Sequence, residues 1–490
     1  MIQTETLLTF GVYLVFLLAV GWYFYKRTTD IEGYILGGRG LGGWVTALSA
    51  QASDMSGWLL MGLPGAVYLG GMNEAWIAIG LFIGTALNWI FVSARLRVYT
   101  QHTDTLTISS FFEKRFNDPT SLLRVGSAVI ILIFFTIYSS SGLVAAGKLF
   151  ESMFHINYSF AVITGAVVIV SYTFLGGFMA VCWTDFFQGG LMFFAIILVP
   201  ILGVIDNGGI SVIESEMAAK HIATSLFHDG SGNALSIMAV FSTMAWGLGY
   251  FGQPHILTRF MGIRSVHELP KATMVALTWV VISLIGAVLV GMIAIPMFDG
   301  LKGGEQEKVF IYMIAKLFNP WVGGVLLAAI LSAIMSTIDS QLLVSSSALT
   351  EDFYKKILRR DASEKELILV GRLCVLVISI IATSMALTPG NTILGLVAYA
   401  WGGFGAAFGP VVLFSLFSKK TTWVSALTGM VVGTVVLIVW KNMGLGAQMY
   451  EIVPGFFANF ITIYIINMIA PQKDERILSA FDNMKLGLKK

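Results

Sequence analysis

Long apolar stretches separated by short polar segments run along almost the whole of this 490-residue chain. Most of them have about 20 residues, the length with which an α-helix crosses the hydrocarbon core of a membrane. Residues 309–320 form a shorter, amphipathic segment, which predicts a surface helix leading into the ninth span. The pattern predicts thirteen spans, at about 5–25, 42–63, 68–93, 122–147, 158–178, 184–205, 234–256, 273–297, 321–349, 367–387, 392–417, 423–440 and 453–470.

Composition and charge support an all-α polytopic membrane protein. Hydrophobic residues make up 56% of the chain and charged residues only 12%, whereas soluble domains carry about 25% charge. Water-soluble classes are therefore excluded, and a net charge of +2 gives no reason to expect nucleic acid. Most of the 30 Lys and Arg residues follow odd-numbered spans or lie in the C-terminal tail. This distribution predicts an N-terminus outside the cell and a C-terminus inside it.

Two of the spans carry residues that break a helix. The second has Ser56 and Gly57 beside Asp54, and the seventh has three glycines and Pro254 between 246 and 254. Because the two are five spans apart, they begin two units of opposite topology, which predicts a 5+5 inverted repeat around a midplane site. A single membrane domain follows, with an extra helix at 5–25, repeats at 42–206 and 234–417, two helices within 423–470 and a cytoplasmic tail at 471–490.

The broken second span and the ninth span favour a site for a hard cation. A charge at the bilayer centre costs at least ~2.5–3.5 kcal/mol, so Asp54 is expected to line a cavity or hold a cation. In the ninth span, Ser332, Ser336, Asp339 and Ser340 follow helical spacing and should face the bundle, with Thr337 beside them. Hard oxygen ligands suit sodium. The alternative is that these hydroxyls bond to their own helix or join neighbouring helices.

The seventh span favours a site for a small organic solute. Trp246 and Tyr250 are four residues apart and should share one helix face, beside backbone groups exposed by the glycines. Aromatic faces attract an ammonium group, and the N-terminus of a half-helix attracts a carboxylate, so a small zwitterion would suit this site. An aromatic packing pair is the alternative. Tyr138 is a third candidate wall residue, and Asp185 is either a helix N-cap or part of an ion exit path.

At these residues the chain resembles the solute:sodium symporter family, and within it the proline carriers. The resemblance extends from about residue 5 to residue 470. It implies a thirteen-helix form of the leucine-transporter architecture, uptake of L-proline with Na+ and a multi-pass protein of the bacterial cytoplasmic membrane. The motifs that carry it lie at 34–39, 52–66, 172–177, 246–256, 336–343 and 403–410.

The resemblance also implies roles for individual residues. Asp54 would be essential for ion coupling, close to a sodium ion held between the second and ninth spans. The sodium ligands would be the carbonyls of Ala52, Met55 and Ala333 and the hydroxyls of Ser336 and Thr337. The residues that would line or shape the substrate site are Ser56, Gly57, Tyr138, Trp246, Tyr250 and Pro254.

One residue departs from the family pattern, since the proline carriers have serine where this chain has Asp339. In some relatives, the positions matching Asp185, Ser336, Asp339 and Ser340 form a second sodium site. Our hypothesis is that Asp339 either builds such a second cation site or carries a proton. The alternative is an acid that only contacts cytoplasmic water.

Other function classes explain the sequence less well. A transporter-like sensor would need a signalling domain, and only about 20 residues follow the last span. A passive channel would not need the aromatic site. Within the symporters, pantothenate, other small carboxylates or sugars are the alternative substrates. We expect no enzymatic activity, no cofactor besides Na+ as coupling ion, no nucleic acid and no obligate protein partner.

Overall fold

The computed structural model describes residues 4–26, 30–173, 177–388 and 390–488, and regular structure within them is helical. Part of the motif at 172–177 and the end of the tail lie outside these ranges. The α-helices are Thr4–Tyr25 (α1), Ile31–Leu36 (α2), Gly43–Asp54 (α3), Leu63–Gly70 (α4), Ala75–Leu87 (α5), Ser93–His102 (α6), Ile108–Phe116 (α7), Leu122–Phe154 (α8), Tyr158–Thr173 (α9), Phe178–Asp206 (α10), Ile210–Ala219 (α11), Ile237–Met244 (α12), Pro254–Gly262 (α13), Leu269–Met297 (α14), Val309–Leu317 (α15), Pro320–Ser347 (α16), Glu364–Ala386 (α17), Ile393–Phe417 (α18), Trp423–Asn442 (α19), Ile452–Ile469 (α20) and Glu475–Gly487 (α21).

Ten helical segments among the described residues are long and apolar enough to cross a membrane, and three shorter apolar helices accompany them. Every predicted apolar stretch contains at least one helix. The short amphipathic helix predicted at 309–320 is confirmed as α15, which ends where Phe318 takes an extended conformation. Several boundaries differ from the prediction, however, and two of these differences matter for function.

Both helix breaks predicted from the sequence are confirmed. In the second span, α3 ends at Asp54, and the chain continues as a π-helical turn at Trp58–Gly62 and then α4. In the seventh span, α12 is followed by a 3₁₀ segment at Ala245–Gly252, an extended Gln253 and α13. Proline at the first position of α13 starts a new helix there, because its fixed φ suits a first turn and it has no N–H to satisfy.

The helix α16 lies at the centre of the molecule. Within the helical segment Pro320–Leu358, which contains α16, 83% of the residues in the most apolar 18-residue stretch are buried. The corresponding share for α1 is 17%. The helix α16 packs against α1, α3, α8, α10 and α17, so its polar side chains are enclosed by protein. In contrast, α1 presents exposed apolar side chains such as Val12 and Val15, as expected for a helix that faces lipid.

The C-terminal tail holds a helix that the apolar pattern did not predict. Although α21 is polar overall, Ile477, Phe481 and Met484 are buried. The Phe481 ring lies 5.3 Å from the guanidinium of Arg115, and the helix packs against α6. The apolar residues recur at spacings of three and four, so the signal was present but too short to stand out beside the membrane spans.

Candidate transport site

Asp54 lies at the point where the first broken helix ends. It is fully buried, and the next residue, Met55, turns the chain out of the helix with φ −85° and ψ 76°. Its carboxylate Oδ2 accepts a hydrogen bond of 2.6 Å from the Tyr250 hydroxyl. Its backbone carbonyl accepts from Trp58 Nε1 at 3.0 Å and from the Tyr138 hydroxyl at 3.4 Å. The structure therefore brings Asp54 together with two of the predicted substrate residues.

A cluster of oxygen atoms joins the first broken helix to α16. The Ser336 hydroxyl lies 2.7 Å from the carbonyl oxygen of Ala52, and the Thr337 hydroxyl lies 3.4 Å from the same oxygen. The carbonyl oxygen of Ala333 is 3.3 Å from Ser336 Oγ and 3.2 Å from Thr337 Oγ1. Four of the five predicted sodium ligands are thus gathered, and the fifth, Met55, is buried at the break beside them. Neutral hydroxyl and carbonyl oxygens suit a hard monovalent cation.

The residues predicted to form a second cation site do not converge on one point, in contrast to the predicted sodium ligands. Ser336 donates to Ala52, Asp339 accepts a hydrogen bond from Thr173, and Ser340 accepts one from Arg259. Asp339 is fully buried, so the interpretation of an acid that contacts cytoplasmic water does not hold for this conformation. Ser332, on the same helix face, contacts the hydroxyl of Tyr13 on α1 at 2.8 Å.

Arg259 is the functional candidate that sequence reasoning missed. Its guanidinium is fully buried and donates to Asp185 Oδ2 at 3.1 Å, to Ser340 Oγ at 2.5 Å and to Ser49 Oγ at 3.1 Å. The predicted seventh span ended at 256 and left this arginine in a loop, whereas α13 continues to Gly262. An arginine within the apolar segment 255–262 would need an acidic partner in a membrane, and this requirement could have identified Arg259 from the sequence.

The position of Asp185 excludes the interpretation as an N-cap. Because α10 begins at Phe178, with Gly177 as its N-cap, Asp185 lies in the third turn. Its Oδ2 also accepts a 2.7 Å hydrogen bond from Ser49 on α3. A buried ion pair stripped of one partner is strongly destabilising, so Asp185 and Arg259 depend on each other.

The aromatic residues of the second broken helix do not share a face as predicted. The segment is a 3₁₀ helix with about three residues per turn, so positions four apart point about 120° away from each other. The Trp246 ring lies 5.3 Å from Tyr450, and the Tyr250 ring lies 4.9 Å, edge to face, from Trp401. Of these two aromatic residues, it is Tyr250 that hydrogen-bonds Asp54.

The sequence predicts that the glycines of this segment expose backbone groups. In the structure they also allow neighbouring helices to pack closely against the segment. A Cβ atom on Gly247 would overlap the backbone of Gly80 on α5, and one on Gly252 would overlap the carbonyl of Phe404 on α18. A Cβ on Gly249 would overlap the indole of Trp401. The 3₁₀ segment is therefore held between α5 and α18 at the distance of backbone contact.

The remaining predicted substrate residues lie at the two breaks. Ser56 and Gly57 are buried between Asp54 and the π-helical turn, and Ser56 Oγ accepts from Trp58 N at 3.3 Å. A Cβ on Gly57 would come within 2.8 Å of Ala145 Cβ, so this glycine lets α8 approach the break. Pro254 begins α13, directly after the second break.

A family model described as the sodium:solute symporter family matches residues 34–433, which is most of the chain. The chain belongs to the sodium:solute symporter family. Among curated proteins, the sodium/proline symporter of Salmonella typhimurium is 49% identical over 96% of this chain and 94% of its own length. The high-affinity proline transporter PutP of Bacillus subtilis is 48% identical, with coverage of 95% and 98%. The osmoregulated proline transporter OpuE of the same organism is 45% identical, with coverage of 99% for both chains.

Solved structures of this and related architectures share the fold. A Na+-coupled sialic acid symporter in a substrate-bound, outward-open state has a TM-score of 0.80 at 19% identity, covering 96% of this chain and 100% of its own. MhsT in complex with L-phenylalanine has a TM-score of 0.56 at 15% identity, covering 87% and 98%. This symporter is thus an all-helical multi-pass membrane protein with the fold of these transporters.

Proposed function

We propose that this symporter imports L-proline with Na+ across the bacterial cytoplasmic membrane by alternating access. The observation that carries the proposal is identity of 45–49% over almost the whole chain to three proteins named for proline transport. Identity of this extent covers both helix breaks and α16. The mechanism requires no covalent chemistry, so the protein acts as a carrier and not as an enzyme.

The architecture we propose has thirteen membrane helices, with the N-terminus outside and the C-terminus inside. The two broken helices begin inverted repeats at 42–206 and 234–417. Ten long apolar helices and three shorter ones in the described part of the chain support this count. The arrangement would place the breaks, with their free backbone groups, together near the membrane midplane.

Sodium would bind first, between the first broken helix and α16. The proposed ligands are the carbonyls of Ala52, Met55 and Ala333 and the hydroxyls of Ser336 and Thr337. The hydroxyls now donate to two of these carbonyls. An ion among these oxygens would turn the hydroxyl protons outwards and hold the two helices together.

Coupling would run through Asp54, which is adjacent to the sodium ligands and is bonded to Tyr250. A sodium ion bound to the Met55 carbonyl would hold the helix break in place and thereby fix the position of the Asp54 carboxylate. The carboxylate in turn would position Tyr250, which forms one wall of the proposed substrate site. Sodium binding would thereby complete the pocket, and both ligands together would favour the inward-open state. The proposed substrate residues are Ser56, Gly57, Tyr138, Trp246, Tyr250 and Pro254.

The role of Asp339 is proposed in two forms, a second cation site with Asp185, Ser336 and Ser340 or a proton carrier. The contact between Arg259 and both Asp185 and Ser340 favours the proton carrier, because a guanidinium already supplies positive charge there. In either form a second charge would move with each proline.

The deciding experiment is uptake of radiolabelled L-proline into proteoliposomes, with and without an inward sodium gradient, by the wild type and Asp54→Asn. We expect accumulation driven by sodium in the wild type and its loss in the variant. Uptake indifferent to sodium would overturn the ion assignment. Absence of proline uptake would overturn the substrate and leave the alternative, a sodium symporter for another small carboxylate or a sugar.

A further inference from the structure

A histidine with no hydrogen-bonding partner lies beside the proposed substrate site. His255 is fully buried, and neither of its ring nitrogens has a partner among the residues that the structure describes. The ring packs edge to face against Phe135 at 5.5 Å and Tyr138 at 6.3 Å. Tyr138 in turn reaches the carbonyl of Asp54. Buried polar groups are nearly always satisfied, so an imidazole left unpaired here calls for a ligand.

The same residue lies in the first turn of α13, whose N-terminus is not capped by a side chain. The helix has nine residues and begins at Pro254 after Gln253. The Gln253 side chain makes no cap hydrogen bond: its Nε2 donates to the carbonyls of Gly249 and Trp401 at 3.1 and 3.3 Å, and its Oε1 has no partner among the described residues. The first amides of a helix carry unsatisfied donors and partial positive charge, which favour an anion.

The nearby arginine is already engaged elsewhere. Arg259, one turn along α13, donates to Asp185, Ser340 and Ser49, and its Nη1 donates to the carbonyl of His255 at 3.0 Å. It therefore positions the backbone of the first turn and leaves anion recognition to the imidazole and the helix amides.

We propose that His255 is a substrate-binding residue, whose ring N–H donates a hydrogen bond to the carboxylate of the transported zwitterion at the N-terminus of α13. This inference rests on the proposed function, and it adds the group that recognises the carboxylate. A neutral imidazole offers one N–H donor and one acceptor. The N–H makes a charge-assisted hydrogen bond to a carboxylate oxygen, whereas an amide offers only a neutral carbonyl oxygen, so a ligand with an amide in place of the carboxylate should bind less tightly.

The test is direct binding of radiolabelled L-proline to the purified protein in sodium, with competition by L-proline and by L-prolinamide. The variants are His255→Phe, which keeps a planar ring without polar atoms, and His255→Gln, which keeps a donor. His267→Phe, at an exposed histidine, is the matched control. We expect His255→Phe to weaken L-proline binding about 10- to 100-fold, as for a lost hydrogen bond to a charged group. The preference for L-proline over L-prolinamide should shrink by a similar factor, and His255→Gln should restore part of both.

The outcomes separate this proposal from the proposed function. Equal weakening of both ligands in His255→Phe, with no rescue by glutamine, would mean a packing role and overturn the proposal. So would unchanged L-proline binding. The shift of the unfolding midpoint that sodium produces, measured without proline, should be the same in all variants if they are folded. A wild type that binds no L-proline would overturn the proposed function and this inference together.

Discussion

At the scale of single residues, the hydroxyl of Ser336 crosses from α16 to the carbonyl of Ala52. If it is a sodium ligand, Ser336→Ala should raise the half-saturating sodium concentration for proline uptake about tenfold, roughly 1.4 kcal/mol for one lost oxygen. The maximal rate at saturating sodium should change less. Sodium titrations of initial uptake rates measure both.

The same helix offers a matched control for this substitution. Ser347 is also buried, but its hydroxyl donates along its own helix, to the carbonyl of Leu343 at 2.7 Å. Ser347→Ala should therefore leave the sodium requirement unchanged. Equal effects of the two substitutions would contradict the assignment of Ser336.

Asp339 allows a second test at this scale. Replacing it with serine should change either the charge moved per proline or the dependence on sodium. Simultaneous recording of transport current and radiolabelled uptake gives the charge-to-proline ratio directly. If both quantities stay at their wild-type values in Asp339→Ser, then the acid carries neither a second cation nor a proton.

At the scale of elements, the 3₁₀ segment at Ala245–Gly252 is held by glycines against two neighbouring helices. Gly249→Ala would push a methyl group into the indole of Trp401, which is itself fixed by a 2.7 Å hydrogen bond to the carbonyl of Trp246. Overpacking of this kind costs about 1–3 kcal/mol. We expect a lower unfolding midpoint in detergent and weaker proline binding.

A second glycine separates this packing effect from a general effect of alanine. Gly190 lies in the middle of α10, and nothing is within 4 Å of a Cβ placed there. Gly190→Ala should leave binding unchanged and leave stability equal or raised by up to about 1 kcal/mol. A midpoint that falls as far as in Gly249→Ala would show that the contact with Trp401 is not the cause.

At this scale, residue types in the sequence predicted where the helices break, but the spacing of residues did not predict the local helix geometry. Asp54 among small residues and the glycines before Pro254 located both breaks. The 3₁₀ conformation was not foreseen, because a spacing of four assumes an α-helix, and so Trp246 and Tyr250 were placed on one face. Arg259 was missed because hydropathy ended the span too early, although a buried partner, Asp185, was available.

At the scale of the whole molecule, the distribution of basic residues predicts the orientation in the membrane. A variant without cysteine, made by replacing Cys182 and Cys374, allows single cysteines to report it. Lys302→Cys, at an exposed loop position, should react with a membrane-impermeant maleimide in intact cells. Arg360→Cys, also exposed, should react only after permeabilisation. The reverse pattern would invert the proposed topology.

The pair formed by Arg259 and Asp185 bears on how steeply proline can be concentrated. The two charges cancel, so neither adds to the charge that crosses with the substrate. If one sodium crosses with one zwitterion, the pair carries a single positive charge, and a potential of 100 mV supplies ~2.3 kcal/mol for it. That corresponds to a roughly 50-fold concentration ratio at ~1.4 kcal/mol per tenfold, before the sodium gradient adds its share. If Asp339 carried a second positive charge across with each proline, the concentration ratio supplied by the potential would be squared. A single carboxylate would then decide how dilute a proline source a cell can exploit.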